Sequence, residues 1–186
     1  VVQLLRALNG MLGAHPEADA ERFEAVLGQC LEDGLISDAA IAKSQAERNA
    51  LWALRDDVSQ PLRNGPGFTF DISLPIPEMP AYVAEVRRAL TERWGDKAEA
   101  TFFGHLGDGN LHLMAGVGDR KAKADVEALV YAPLQAFSGS VSAEHGIGLQ
   151  KKKYLPVSRT PVELAVMRTL KDALDPKHIL NPGKIF

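Results

Sequence analysis

The strongest constraint in the sequence is a two-residue turn signal, Asp108-Gly109, that lies between two histidines. An Asp-Gly pair favours a type I′ hairpin turn, because both central residues of that turn take positive φ angles. A turn centred there pairs His105 with His112 and places their Cβ atoms about 5 Å apart on one face of the hairpin. Asn110 lies on the same face, since side chains alternate along a strand. The opposite face is then predicted to be core, formed by Leu106, Leu111 and Leu113.

Two imidazoles at this spacing can share one metal ion if an acidic or thiolate side chain joins them. The single cysteine, Cys30, is far away on a predicted helix, so Glu144 is the better candidate ligand. Two histidines and one carboxylate form an open set typical of Zn²⁺ and related divalent ions, with positions left for water or substrate. His145 follows Glu144 directly and can orient a ligand or act as an acid or base. On the residues alone, ordinary surface or hydrogen-bonded histidines remain the alternative.

Composition indicates one ordinary globular domain and excludes several other classes of protein. The chain has 186 residues, 46% hydrophobic and 24% charged, which is enough for a sizeable core. A formal net charge of −3 argues against a nucleic-acid partner. One cysteine excludes an internal disulfide, no apolar run approaches the ~20 residues that span a bilayer, and no signal peptide is apparent. We therefore expect a cytoplasmic protein and, since residue 1 is Val, a piece of a longer chain.

Apolar periodicity predicts an α+β fold. Helices are predicted over residues 20–32, 44–62, 81–94, 119–137 and 161–174, and extended segments over 67–74, 98–106 and 111–117. Residues 1–8 are read as a strand or short helix, 10–19 as a loop and 35–42 as a short strand. This order favours a mostly antiparallel, ferredoxin-like sheet with helices packed on one face, followed by a C-terminal helical segment.

The segment from Gly104 to His112, GHLGDGNLH, resembles the signature of the C-terminal domain of FAD-linked oxidases, flavoproteins of the vanillyl-alcohol oxidase superfamily. Residues 140–148, 174–184 and 52–55 resemble further segments of that family in the same order. The resemblance covers nearly the whole chain and is nearest to the D-2-hydroxyglutarate and D-lactate dehydrogenase-like group. It implies a cap domain over residues 1–186, and an N-terminal FAD-binding domain that this chain lacks.

The resemblance also implies roles for the residues that match the family's motifs. His105, His112 and Glu144 match the ligands of a divalent metal, Zn or Mn. His145 matches a catalytic histidine beside the flavin ring. The remaining matches are substrate contacts at Arg55, Ser59 and Asn110 and a residue near the cofactor at Asn181.

The implied reaction oxidises a D-2-hydroxy acid to the 2-oxo acid. His145 takes the hydroxyl proton, Arg55 grips the carboxylate, and a hydride passes to FAD, with an electron acceptor that the sequence does not indicate. Thr69 stands where relatives that act on 2-hydroxyglutarate tend to carry a lysine for the distal carboxylate. We therefore expect a monocarboxylate, either lactate-like or with an apolar tail, at least as much as a dicarboxylate.

Two functions of other classes stay open at this point. One is a non-catalytic metal- or ligand-binding module with a ferredoxin-like fold, and the other is a free-standing hydrolase that uses a metal-bound water. An FAD-binding pattern upstream in the reading frame would favour the flavoprotein over both. A cap without its flavin domain also exposes the surface that normally faces that domain, which predicts self-association, for example as a homodimer.

Overall fold

The structure, a computed structural model, describes residues 15–56 and 67–186. The chain divides into two compact units, Val1–Gln60 and Pro61–Phe186, which are described in turn. The predictions for residues 1–8, for the start of the loop at 10–14 and for the helix beyond residue 56 lie outside the described residues. No helix of the described part is long and apolar enough to cross a membrane.

The first unit contains two helices, α1 (Pro16–Glu32) and α2 (Gln45–Asp56). Helix α1 begins inside the predicted loop, because proline fits the first helical turn, where no backbone N–H is needed. The predicted strand at 35–42 is wrong: these residues form no strand, and the N–H groups of Leu35 and Ile36 both donate to the carbonyl oxygen of Cys30 at the end of α1.

The second unit is built on a three-stranded antiparallel sheet. Its strands are β1 (Gly67–Ser73), β2 (Glu99–Phe103) and β3 (Asn110–Gly116), in the order β1-β3-β2. The central strand β3 pairs with both neighbours, so that His112 lies between Asp71 of β1 and Phe103 of β2. Strand alternation gives the sheet one apolar and one polar face.

The apolar face packs against two helices, α3 (Met79–Trp94) and α4 (Lys123–Tyr131). The buried core joins residues of the sheet and of both helices, among them Phe70, Ile72, Leu111, Leu113, Tyr82, Val86, Leu90, Val126 and Val130. The hydroxyl of Tyr82 donates to the carbonyl oxygen of Val130 at 2.7 Å, which satisfies a polar group inside this core. The predicted α+β class, with an antiparallel sheet and helices on one face, is confirmed.

The chain after the sheet is more broken than the periodicity predicted. The predicted helix at 119–137 consists of α4 between two 3₁₀ segments, Arg120–Ala122 and Ala132–Gln135, because Pro133 has no N–H with which to continue the helix. A short helix α5 (Leu155–Ser158) follows, and then α6 (Pro161–Leu174). Helix α6 begins with a capping box between Thr160 and Glu163 and matches the helix predicted over 161–174, which confirms the C-terminal helical segment.

We expect replacement of a core leucine to destabilise the second unit strongly. Leu113 is fully buried at the centre of β3, so Leu113→Ala should lower the free energy of unfolding by about 2–5 kcal/mol through lost contacts and a cavity. Leu174→Ala is the matched control, since Leu174 is 80% exposed at the end of α6 and should cost less than about 0.5 kcal/mol. Urea unfolding measures both, and equal losses would contradict the assignment of the core.

Candidate functional site

The loop between β2 and β3 is longer than the sequence predicted. Phe103, and not His105, pairs with His112, and the predicted type I′ turn is wrong. Residues Leu106–Asp108 form a 3₁₀ turn, and of the Asp108-Gly109 pair Gly109 alone takes a left-handed φ, of 71°. The N–H groups of Asp108 and Asn110 both donate to the carbonyl oxygen of His105, which closes the loop.

Two consequences follow from this longer loop. Leu106 is 41% exposed and does not belong to the core, whereas Leu111 and Leu113 are buried as predicted. The strands separate at Gly104, where a Cβ atom would lie 2.5 Å from the carbonyl oxygen of Asn110, so that only glycine fits without a backbone shift.

The loop nevertheless brings the predicted metal-binding side chains together. The rings of His105 and His112 lie 6.0 Å apart, and Nε2 of His105 lies 3.6 Å from Oε1 of Glu144. One ligand atom from each of these three residues lies within 4.8 Å of the other two. The side-chain amide of Asn110 donates to the same Oε1 of Glu144 at 2.7 Å. The arrangement is that of an open site with two imidazoles and one carboxylate.

Burial favours the neutral, ligand form of one of these imidazoles. Desolvation lowers the pKa of His112, and the neighbouring carboxylates Asp71 and Glu144 oppose that shift without reversing it. A neutral imidazole has a free lone pair on one ring nitrogen, which is what a metal ion requires.

The central residue of the site, Asp71, is not among the residues predicted from the sequence. It lies on the polar face of β1 opposite His112, and its side chain is only 1% exposed. Its Oδ2 atom accepts hydrogen bonds at 2.9 to 3.2 Å from three successive backbone N–H groups and one hydroxyl, those of Ala143, Glu144, His145 and Ser142. A carboxylate of the sheet therefore holds the loop that carries Glu144 and His145.

A lysine from the same segment completes this network. The Nζ atom of Lys151 donates to the backbone oxygen of Asp71 at 2.8 Å and to the hydroxyl of Ser142 at 3.0 Å, and it lies 3.5 Å from Oδ2 of Asp71. Burial opposes ionisation of Asp71, but the N–H groups of His145 and Glu144 and the charge of Lys151 outweigh it and lower its pKa to about 2. Lys151 is the first of three consecutive lysines, yet its side chain is only 12% exposed, because its Nζ atom reaches into this network.

His145 has a different environment from the other site histidines. Its side chain is 68% exposed, and its Nδ1 atom lies 3.8 Å from Oδ2 of Asp71. Its ring stacks on that of His112 with centroids 6.2 Å apart and an angle of 21° between the planes. One edge of the imidazole therefore faces a buried carboxylate, while the side chain as a whole remains accessible.

The backbone of residues 143–145 has its partner within the chain. All three of its N–H groups are bonded to Oδ2 of Asp71, and the hydroxyl oxygen of Ser142, which also contacts Asp71, lies 3.0 Å from the carbonyl oxygen of Gly146. These three N–H groups thus form a cradle for a carboxylate of the chain itself.

The remaining predicted site residues of the second unit differ in their burial and in their hydrogen bonds. Asn110 is buried beside Glu144, and its Oδ1 atom has no hydrogen-bond partner among the described residues. Thr69 is exposed on the polar face of β1, two residues before Asp71. Asn181 has a left-handed φ of 48° and accepts a hydrogen bond from the Lys184 side chain.

The two residues predicted to hold the substrate carboxylate cannot be related to this site. Arg55 belongs to α2 of the first unit, with its side chain outside the description, and Ser59 lies outside the described residues. The structure therefore joins His105, His112, Glu144, His145 and Asn110 into one cluster and adds Asp71 and Lys151 to it.

A sequence signal existed for Asp71 but not for Lys151. Aspartate is depleted in strands, so an aspartate inside Phe68-Thr69-Phe70-Asp71-Ile72 is unusual enough to suggest a specific partner. Lys151 is one of three consecutive lysines, and nothing local distinguishes it from its neighbours.

Comparison with known proteins gives a consistent result. Residues 6–185 match the family described as FAD linked oxidases, C-terminal domain. The chain is 41% identical over 180 residues to D-2-hydroxyglutarate dehydrogenase of Xanthomonas citri pv. viticola, covering 93% of this chain and 38% of that protein. It is 37% identical over 180 residues to the Stutzerimonas stutzeri protein of the same name, covering 93% of this chain and 39% of the relative. It is 41% identical over 175 residues to the mitochondrial D-2-hydroxyglutarate dehydrogenase of Rattus norvegicus, covering 92% of this chain and 32% of the rat protein. The chain thus spans about two-fifths or less of the length of these relatives.

The lowered pKa of Asp71 predicts a stability contribution that depends on pH. The folded state holds this pKa at about 2, below the ordinary value of 3.8, so the ionised carboxylate stabilises the fold above pH 3.8 and loses this effect as the pH falls towards 2. The free-energy difference between wild type and Asp71→Asn should shrink by about 2 kcal/mol between about pH 6 and pH 2. Urea unfolding with a chelator present measures it. A difference that stays constant over this range would contradict the prediction.

Proposed function

Because the chain belongs to the FAD linked oxidase C-terminal domain family, we propose that it is the substrate- and metal-holding part of a flavin-dependent dehydrogenase. The proposed reaction oxidises a D-2-hydroxy acid to the 2-oxo acid. The observation that carries this proposal is the convergence of His105, His112 and Glu144 beside the accessible His145. The names of the relatives support the class of reaction, and the missing share of their length agrees with a flavin-binding part elsewhere in the protein.

The donor set fits a divalent ion of the zinc or manganese kind. His105 and His112 offer imidazole nitrogens, Glu144 offers a carboxylate oxygen, and the three can approach one ion from one side. Such an ion, when bound, lowers the pKa of a coordinated hydroxyl group. Asn110 holds Glu144 in place through its amide. Its Oδ1 atom, which has no hydrogen-bond partner within residues 15–56 and 67–186, can accept a hydrogen bond from a bound hydroxy acid.

His145 is the proposed base. Its Nδ1 edge faces the carboxylate of Asp71, so the opposite ring nitrogen is available for the hydroxyl proton of the substrate. The negative charge of Asp71 stabilises the imidazolium that this transfer produces. FAD, when bound, is the acceptor of the two electrons. Because the N–H groups at 143–145 are occupied, this loop is not expected to bind the phosphates of that cofactor.

The remaining contacts are proposals that follow from the family resemblance. A guanidinium group binds a carboxylate through two parallel hydrogen bonds, which is the role proposed for Arg55, with Ser59 one turn further along the chain. Asn181 is proposed to lie near the flavin. A cytoplasmic location, a homodimer and a separate electron acceptor also remain proposals, and some relatives carry the word mitochondrial in their names.

The first test uses flavin absorbance of the complete protein to which this chain belongs, kept under anaerobic conditions. D-2-hydroxy acids should bleach the flavin and L-acids should not. Chelation should abolish bleaching, and Zn²⁺ or Mn²⁺ should restore it, because the hydroxyl pKa is then lowered again. Bleaching that survives chelation would remove the metal from the proposal but keep the dehydrogenase. A protein without flavin, or one that no hydroxy acid bleaches, would favour a non-catalytic binding module.

A second test concerns the choice between dicarboxylate and monocarboxylate substrates. The names of the relatives favour D-2-hydroxyglutarate, whereas the neutral hydroxyl of Thr69 cannot pair with a distal carboxylate as a lysine would. Thr69→Lys should raise kcat/KM for D-2-hydroxyglutarate relative to D-lactate by about 10- to 100-fold, the worth of one charge-assisted hydrogen bond. Thr69→Gln is the matched control, with a longer side chain but no charge. An equal gain in both variants would exclude charge pairing at this position.

A further inference from the structure

Asp71 contacts both halves of the candidate metal site. Two ligands come from the region around β3, His105 and His112, and the third, Glu144, comes from a loop more than thirty residues further along the chain. Asp71 lies on neither segment, since it belongs to β1 on the other side of β3 from the His105 loop. Each of its two oxygens faces a different half of the site.

The Oδ2 oxygen fixes the loop. It accepts hydrogen bonds from the N–H groups of Glu144 at 3.0 Å and of His145 at 2.9 Å, together with those of Ala143 and the Ser142 hydroxyl. Three successive N–H groups that point at one oxygen leave the backbone of this segment little freedom. The side chains of Glu144 and His145 therefore leave the loop in a set direction.

The Oδ1 oxygen faces His112. This oxygen is buried and has no hydrogen-bond partner among the described residues, and Nδ1 of His112 lies 3.7 Å from it. A buried carboxylate oxygen without a donor is costly, so a proton on Nδ1 of His112 is favoured there. That tautomer leaves the lone pair on Nε2, the nitrogen on the far side of the ring from Asp71.

We propose that Asp71 is a positioning residue that selects the Nδ1–H tautomer of His112 and at the same time fixes the loop of Glu144 and His145. Through these two effects one buried carboxylate orients two of the three candidate ligands, His112 and Glu144, without being a ligand itself. Lys151 keeps the carboxylate charged in its buried position. Groups that hold a ligating histidine in this way commonly change metal affinity by about 10- to 100-fold when they are removed. The expected effect on metal affinity rests on the proposed function, whereas the expected Nδ1–H tautomer of His112 does not.

The tautomer can be measured without any metal. In the complete protein with ¹⁵N-labelled histidine, chelated and at neutral pH, long-range ¹H–¹⁵N spectra show which ring nitrogen carries the proton. The signals of His112 are identified by their loss in His112→Gln. We expect the proton on Nδ1 in the wild type. A proton on Nε2 would overturn the proposal, and because this readout needs neither bound metal nor turnover, it is decided even if the proposed function fails.

Asp71→Asn then tests the consequence for metal binding. The three N–H donors of the loop require the amide oxygen, so the amide NH₂ must face His112, donate to Nδ1 and move the ring proton to Nε2. Zn²⁺ and Mn²⁺ affinity, measured by calorimetry, should fall by about 10- to 100-fold. Asp175→Asn is the matched control, because Asp175 is also buried and also accepts two backbone N–H groups and a lysine, but at the end of α6 and not in the site.

The outcomes separate the two proposals. An Asp71→Asn protein that binds metal as tightly as wild type, or a loss that is equally large in Asp175→Asn, would overturn the positioning role. A wild type that binds no metal, but shows the proton on Nδ1 of His112, would refute the metal part of the proposed function and leave the orientation of His112 by Asp71 standing. If Asp71→Asn does not fold, the wild-type tautomer alone decides the question.

Discussion

The carboxylate of Asp71 is the interaction on which the described site depends. A charged oxygen inside a protein is tolerated only where donors surround it, and here the donors come almost entirely from one loop and Lys151. The loop reaches β1 through a backbone pairing between Ser73 and Ser140, next to the edge of the sheet. The hydrogen bonds that this buried charge requires thus attach the loop of Glu144 and His145 to the sheet.

The position of that carboxylate is set in turn by the core on the other side of the sheet. Ile72 and Leu113 are fully buried against the helices, so their neighbours Asp71 and His112 must point the opposite way. A shift of β1 by one residue would bury Asp71 in the apolar core, at a cost far greater than any local preference. The register of the sheet, and with it the pairing of Asp71 with His112, is therefore fixed by hydrophobic packing and not by the site itself.

Local sequence patterns predicted the features that depend on residues close together in the sequence, such as the faces of a strand and the position of a helix. Strand alternation placed Asn110 and His112 on one face and Leu111 and Leu113 on the other, and apolar periodicity located α6. The Asp108-Gly109 pair does not distinguish a type I′ turn from a 3₁₀ turn, because the 3₁₀ turn here also ends in a glycine with positive φ, and the hydrogen bonds to the carbonyl oxygen of His105 identify it. Asp71 and Lys151 meet across eighty positions of sequence, and no periodicity records such a contact.

In the proposed enzyme, the same sheet geometry separates the residues of the oxidation site from residue 69, which is proposed to influence the choice of substrate. Residue 69 lies on the polar face of β1, two positions and so about 6.5 Å along the strand from Asp71, close to the site but outside its hydrogen-bond network. A side chain at 69 can therefore change what the far end of a substrate meets without disturbing His112, Glu144 or His145. On this argument, a threonine in place of a lysine alters the choice of acid and leaves the oxidation itself intact.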